Sequence, residues 1–220
     1  MSAHATNFEA TGPDDFKDAA AASTLSLAGG EQDALDMARL AAGHDAALND
    51  LMERHAEKLF HYLVRALQNE DDAEDLGQET FARVFRCRAS FDAGRKFSTW
   101  LYAIASNLVR DRFRWRGRHP QVSLDATNET TGNAFGESLP EQKPSPSETV
   151  QAEERAKIVR RAVATLPEKW RLPLILFEYE GKSHIEIGAI LGCSAKAVEV
   201  RIYRARQELR AGLAPLLASM

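Results

Sequence analysis

The chain has 220 residues, with 28 lysines and arginines against 32 aspartates and glutamates, for a formal net charge of −4. That length holds one large or two small domains with buried cores, and the charge excludes a chain that is basic throughout. No apolar run reaches the roughly 18 residues of a membrane span, and the early Glu9, Asp14 and Asp15 do not suit a secretory signal. Residues 1–30, rich in Ala, Ser, Gly and Asp, predict a flexible leader. Helical periodicity begins at Glu31, where Leu35, Met37, Ala38 and Leu40 predict a short helix ending near Gly43. Asp45 is expected to cap a longer helix carrying Leu48, Leu51, Met52, Leu59, Tyr62, Leu63 and Leu67. Asp71 or Asp72 is expected to cap a third helix through about Arg88, with a turn at Phe91–Gly94. A fourth helix runs from Phe97 to near Gly117, its buried face read as Phe97, Leu101, Ile104 and Leu108.

Residues 119–146 change character, with Pro120, Pro140, Pro144 and Pro146 among many Ser, Thr and Asn, and predict a linker. Val150, Ile158, Val159, Val163 and Leu166 mark another helix, and residues 168–179 a further one that Pro173 should kink. Ser183 and Glu186 form a capping box that opens a short helix with Ile187, Ile190 and Leu191 on its apolar side. Gly192 supplies a left-handed turn and Ser194 a new cap for a basic helix that packs Val198, Ile202, Ala205 and Leu209 inward. Short helix, glycine turn and longer basic helix make a helix-turn-helix pattern. The fold expected is all-α: two small helical domains, 31–118 and 147–217, joined by a flexible linker, the second a helix-turn-helix.

Charge is distributed unevenly along this plan. Residues 95–118 carry Arg95, Lys96, Arg110, Arg112, Arg114, Arg116 and Arg118 against Asp111 alone, for a net +6, and residues 195–210 come to +3. Residues 1–43 and 119–150 are acidic, at −5 and −4. Two basic patches between acidic connectors suit two separate nucleic-acid contacts. On the fourth helix Trp100, Ala103, Asn107, Arg110 and Arg114 share a face that offers an aromatic plane, an amide for a base edge and cations for phosphates. The plainer reading is a solvated basic face on a core helix.

Asp71, Asp75 and either Gln78 or Glu79 share an acidic face. A di-iron carboxylate bundle would need Glu-x-x-His pairs, and no histidine has Glu three residues before it. A solvated acidic face and a docking surface for a basic partner stay open. Cys87 and Cys193 form no Cys-x-x-Cys pair, which speaks against a disulfide framework or zinc site and fits a reducing compartment. His184-x-Glu186 is part of a deaminase motif without its Pro-Cys-x-x-Cys. No phosphate loop or nucleophile elbow appears, so no catalytic site, cofactor or metal is expected.

The motifs in order are Asp71-Asp-Ala-Glu-Asp-Leu-Gly-Gln-Glu-Thr-Phe81, Phe97-Ser-Thr-Trp-Leu-Tyr-Ala-Ile-Ala-Ser-Asn107, Arg110-Asp-Arg112, Leu166-Pro-Glu168 and the terminal helix-turn-helix ending Tyr203-Arg-Ala-Arg206. This series resembles the extracytoplasmic-function, group IV sigma factors of bacterial RNA polymerase, over roughly residues 31–215. The resemblance implies a cytoplasmic protein, not an enzyme, that confers promoter specificity. Its partners would be core RNA polymerase (the beta-prime clamp and beta flap), promoter DNA and an anti-sigma factor, without direct membrane insertion. Asp71, Asp75, Gln78, Glu79 and Phe81 match the family's polymerase-binding positions. Phe91 and Asn107 match positions near a flipped-out base of the minus-ten element and Trp100, counted with the same site, a position in that helix's core or rim, with Arg110, Arg112 and Arg114 on the backbone. Ser194, Lys196, Glu199, Val200, Arg201, Tyr203 and Arg204 fall on the helix that would read the minus-thirty-five duplex. Glu199 and Val200 depart from the family's usual basic residue and Ser, so an atypical minus-thirty-five sequence is expected, Glu accepting from cytosine N4 and Val touching a thymine methyl. The rivals are a stand-alone helix-turn-helix regulator of duplex operators and a helical metal enzyme. The acidic helix beside the aromatic-basic one speaks against the first, and the missing Glu-x-x-His pairs against the second.

Overall fold

The computed structural model describes residues 30–119 and 146–217. The leader and the linker lie outside them, apart from their last and end residues, as does the side chain of Val150. The described residues form α1 (30–41), α2 (Ala47–Leu67), α3 (Glu70–Arg86), a 3-10 turn (Arg88–Ser90), α4 (Phe97–Arg118), α5 (Pro146–Thr165), α6 (Glu168–Glu178), α7 (His184–Leu191) and α8 (Ala195–Leu217). No strand occurs among them.

Local chemistry sets the boundaries. α3 starts two or three residues earlier than expected, because Asn69 rather than Asp71 or Asp72 is the cap: its side-chain oxygen accepts from the Asp72 N–H at 2.7 Å. Asp45 does not cap α2 either; the cap position is Ala46, which makes no side-chain bond. Gln68 closes α2 in the left-handed conformation, its N–H donating to the Val64 carbonyl. The turn before α4 is held by Asp92, whose carboxylate accepts the Gly94 N–H at 2.9 Å.

α2, α3 and α4 pack around Leu51, Leu59, Tyr62, Leu63, Val84, Phe97, Leu101, Ala105 and Val109, all buried. Sequence periodicity misplaced part of α1. Leu35 is 60 % exposed, whereas Asp33 and Asp36 turn inward with Met37 and Leu40. Tyr102, Ser106 and Val109 are buried on α4 where Ile104 is only half-buried, and Tyr62 shares a 2.8 Å hydrogen bond with Ser106 inside the core. The C-terminal half packs Leu166, Leu172, Ile175 and Leu176 against Ile187, Ile190, Val198, Ile202 and Ala205. Pro173 is buried within α6.

Candidate nucleic-acid interface

On α3, Asp71, Asp75 and Gln78 are exposed along one face. Glu79 joins them but is engaged, accepting from Arg83 at 2.9 Å and Arg86 at 2.7 Å, and the Arg83 hydrogen bond, seconded by Arg86, holds its carboxyl below the usual range. Phe81 is not on this surface; it is 5 % exposed and belongs to the core.

Phe91 and Trp100 form a ring cluster with the buried Phe97. The Phe91 and Trp100 centroids lie 5.3 Å apart, and those of Phe97 lie 6.1 and 6.3 Å from them. Both outer rings are half-buried, so each keeps an accessible portion on a core-backed platform. Two helical turns on from Trp100, Asn107 is exposed. Arg110 reaches it at 3.4 Å and also donates to the Leu191 carbonyl at 2.9 Å, with Glu168 at 3.5 Å.

The remaining arginines are placed differently from the expectation. Arg112 and Arg116 both donate to Asp72 of α3, whose side chain is 13 % exposed, and Arg114 pairs with Asp111 on its own helix. Arg112 thus lines an open groove of about 790 Å³ between α3 and α4, together with Asp75, Gln78, Glu79 and Trp115. That places it beside the acidic face rather than beside Phe91.

In the helix-turn-helix, Ser183 and Glu186 make both bonds of the capping box, and Gly192 takes φ 67°. Gly188 is a residue that sequence reasoning passed over. A Cβ there would sit 2.6 Å from the Cys193 carbonyl oxygen, so the turn closes only on glycine. Ser194 accepts the Ala197 N–H at 3.2 Å. Val200, Tyr203 and Arg204 are exposed on α8, and Lys196 pairs with Glu199 at 2.9 Å, which lowers the Glu199 carboxyl. Arg201 is half-buried instead, turned toward the Cys193 Sγ at 3.4 Å.

The two halves touch along α4 and α7 and along α2 and α6. Lys96 pairs with Glu186 at 2.9 Å, Lys182 donates to Ser98 at 3.1 Å, and Tyr102 donates to Glu180 at 2.5 Å. Arg171 donates to the Ala66 carbonyl at 3.0 Å. Burial tends to raise the Glu186 carboxyl, but the Ser183 N–H and the Lys96 ammonium outweigh it and bring it down to about 2. Burial and then the Glu180 carboxylate push the Tyr102 phenol up, and burial pushes the Lys182 ammonium down.

Family comparison agrees with this layout. Residues 51–119 match the model for Sigma-70 region 2 and residues 156–209 that for Sigma-70, region 4. The chain is 36% identical over 177 residues to an ECF RNA polymerase sigma factor, SigE, of Mycolicibacterium smegmatis, covering 79% of this chain and 65% of that one. It is 35% identical over 175 residues to SigW, an ECF RNA polymerase sigma factor of Bacillus subtilis, covering 79% and 92%. Among solved structures, the sigma factor RpoE of Bartonella quintana, crystallised with the anti-sigma factor NepR, superposes with a TM-score of 0.57 at 25% identity, over 76% of this chain and 96% of that one. Two sigma-70 regions in order, on two helical halves, with relatives matched along most of their length, place this chain in the family of extracytoplasmic-function RNA polymerase sigma factors.

Proposed function

We propose that this chain is an alternative sigma factor that binds core RNA polymerase, recognises promoter DNA and starts transcription of a particular gene set. The observation that carries it is the pairing, in one chain, of a region 2 match at 51–119 with a region 4 match at 156–209. A stand-alone operator-binding regulator needs only the second. The exposed Asp71, Asp75 and Gln78 would meet the polymerase clamp, and the groove beside them adds Arg112 to that surface. Phe91 and Trp100 would receive an extruded minus-ten base, with Asn107 on its edge. Lys196, Val200, Tyr203 and Arg204, open on α8, would enter the major groove of the minus-thirty-five element.

An anti-sigma partner is part of this reading, supported by the structural likeness to a sigma factor held by one. No helix among the described residues is long and apolar enough to cross a membrane; the site of action is the cytoplasm, where polymerase and promoter are. Reconstituted transcription with purified core polymerase tests the function. Promoter-dependent initiation and co-purification with core are expected; the absence of both would end the sigma reading.

A further inference from the structure

α1 buries two carboxylates, which is costly unless both are paired. Asp36, fully buried, accepts from Arg54 at 2.6 Å, Arg39 at 3.0 Å and Gln32 at 3.2 Å. Asp33, 4 % exposed, accepts from the Arg54 Nε at 3.0 Å. Those bonds already fasten α1 to α2. Asp33 has a second partner that fastening does not require, the His55 Nε2 at 2.8 Å. A carboxylate at that nitrogen fixes both the tautomer and the plane of an imidazole. The His55 ring, so fixed, lies 5.1 Å from the Phe97 ring at 60°. Phe97 is 1 % exposed and is the ring against which Phe91 and Trp100 lean. Phe91 lies before α4, outside any helix, held by its N–H bond to the Arg88 carbonyl at 3.4 Å and by the rings of Phe97 and Trp100.

We propose that Asp33, acting through the imidazole of His55, is a positioning residue for the Phe91–Phe97–Trp100 platform on which a promoter base is held during strand opening. α1 lies before the residues matched to region 2, so an element outside that match takes part in opening. The proposal rests on the reading of the platform as the base site.

The test uses the full chain with core polymerase on a duplex promoter. It reads core affinity, and opening as permanganate reactivity of minus-ten thymines, for Asp33→Ala, His55→Leu, Trp100→Ala and the two double variants. His55→Leu keeps an apolar filler of similar size and leaves both Arg54 pairs in place, so it serves if Asp33→Ala does not fold. Expected is about a tenfold loss of opening for each single variant at unchanged core affinity, and no further loss when either is added to Trp100→Ala, because coupled neighbours are non-additive. Full additivity, or core affinity falling in step with opening, overturns the positioning role. If Trp100→Ala lowers opening and neither Asp33→Ala nor His55→Leu does, the positioning role fails while the base site stands. If Trp100→Ala itself opens normally, the base site fails and the proposal with it.

Discussion

The two halves hold the side chains proposed to meet DNA in opposite ways. In the N-terminal half these groups are anchored in advance: Phe91 and Trp100 lean on a buried phenylalanine, and Arg110 holds a backbone carbonyl. In the C-terminal half Val200, Tyr203 and Arg204 stand free on one helix, Tyr203 being 63 % exposed. The difference suits the two tasks proposed for them. A duplex presents its base edges in a groove that accepts a whole helix, so α8 has only to offer side chains. A base taken out of its stack loses stacking energy, and only a platform fixed beforehand returns it without a fresh ordering cost.

The contrast can be broken most forcefully at the C-terminal turn. Gly188→Ala forces a Cβ against the Cys193 carbonyl, and overpacking of this kind costs about 1–3 kcal/mol. Thermal denaturation should show that loss, accompanied by loss of minus-thirty-five duplex binding, while minus-ten strand binding persists. In the N-terminal half, Asn107→Ala should lower open-complex formation about tenfold, the scale of a base-edge contact, and leave core binding intact. Equal loss of both would indicate a folding defect instead.

A smaller effect is expected at the contact between the halves. The Glu186 carboxyl, brought to about 2 from an ordinary 4.5, contributes stability that is complete above 4.5 and lost as pH falls toward 2. Glu186→Gln keeps a capping-box side chain at that position but loses the charge paired with Lys96, so it should cost about 0.2–1 kcal/mol near neutrality and flatten the acid limb of the stability curve in melts from pH 7 to pH 3. The smallest effect is expected from Glu199→Ala. Lys196 already engages that carboxylate, so promoter profiling should show a shift at one base pair below the ~1–3 kcal/mol of a bidentate contact. Unchanged preference would remove Glu199 from the reading set.

The features legible in the sequence were local ones. The capping box at Ser183 and Glu186 and the left-handed Gly192 lie within a few residues of their partners, and the 3.6-residue period marked the helices themselves. Features that depend on a distant partner were not legible. Asp33 and Asp36 share the inward face of α1 with Met37 and Leu40, but a hydropathy pattern reads carboxylates as surface; Arg54 and His55, some twenty residues on, supply the pairing that lets both sit in the core. Arg112 reads as a phosphate contact until Asp72, forty residues earlier, is seen to hold it. Asn69 lost the cap position to two nearby aspartates, because cap preference ranks Asn and Asp alike.

Asp72 has a mechanical consequence. It receives two arginines from the last turns of α4 while sitting in the first turn of α3, so the two helices are cross-braced at that end. A brace of this kind makes α3 and α4 move as one lever rather than two rods. With the exposed face of α3 as the proposed polymerase grip, the ring platform and Asn107 on α4 stand at a set distance from that grip. Under that proposal, where the DNA strands part would be set by where the clamp stands, with α4 transmitting the position.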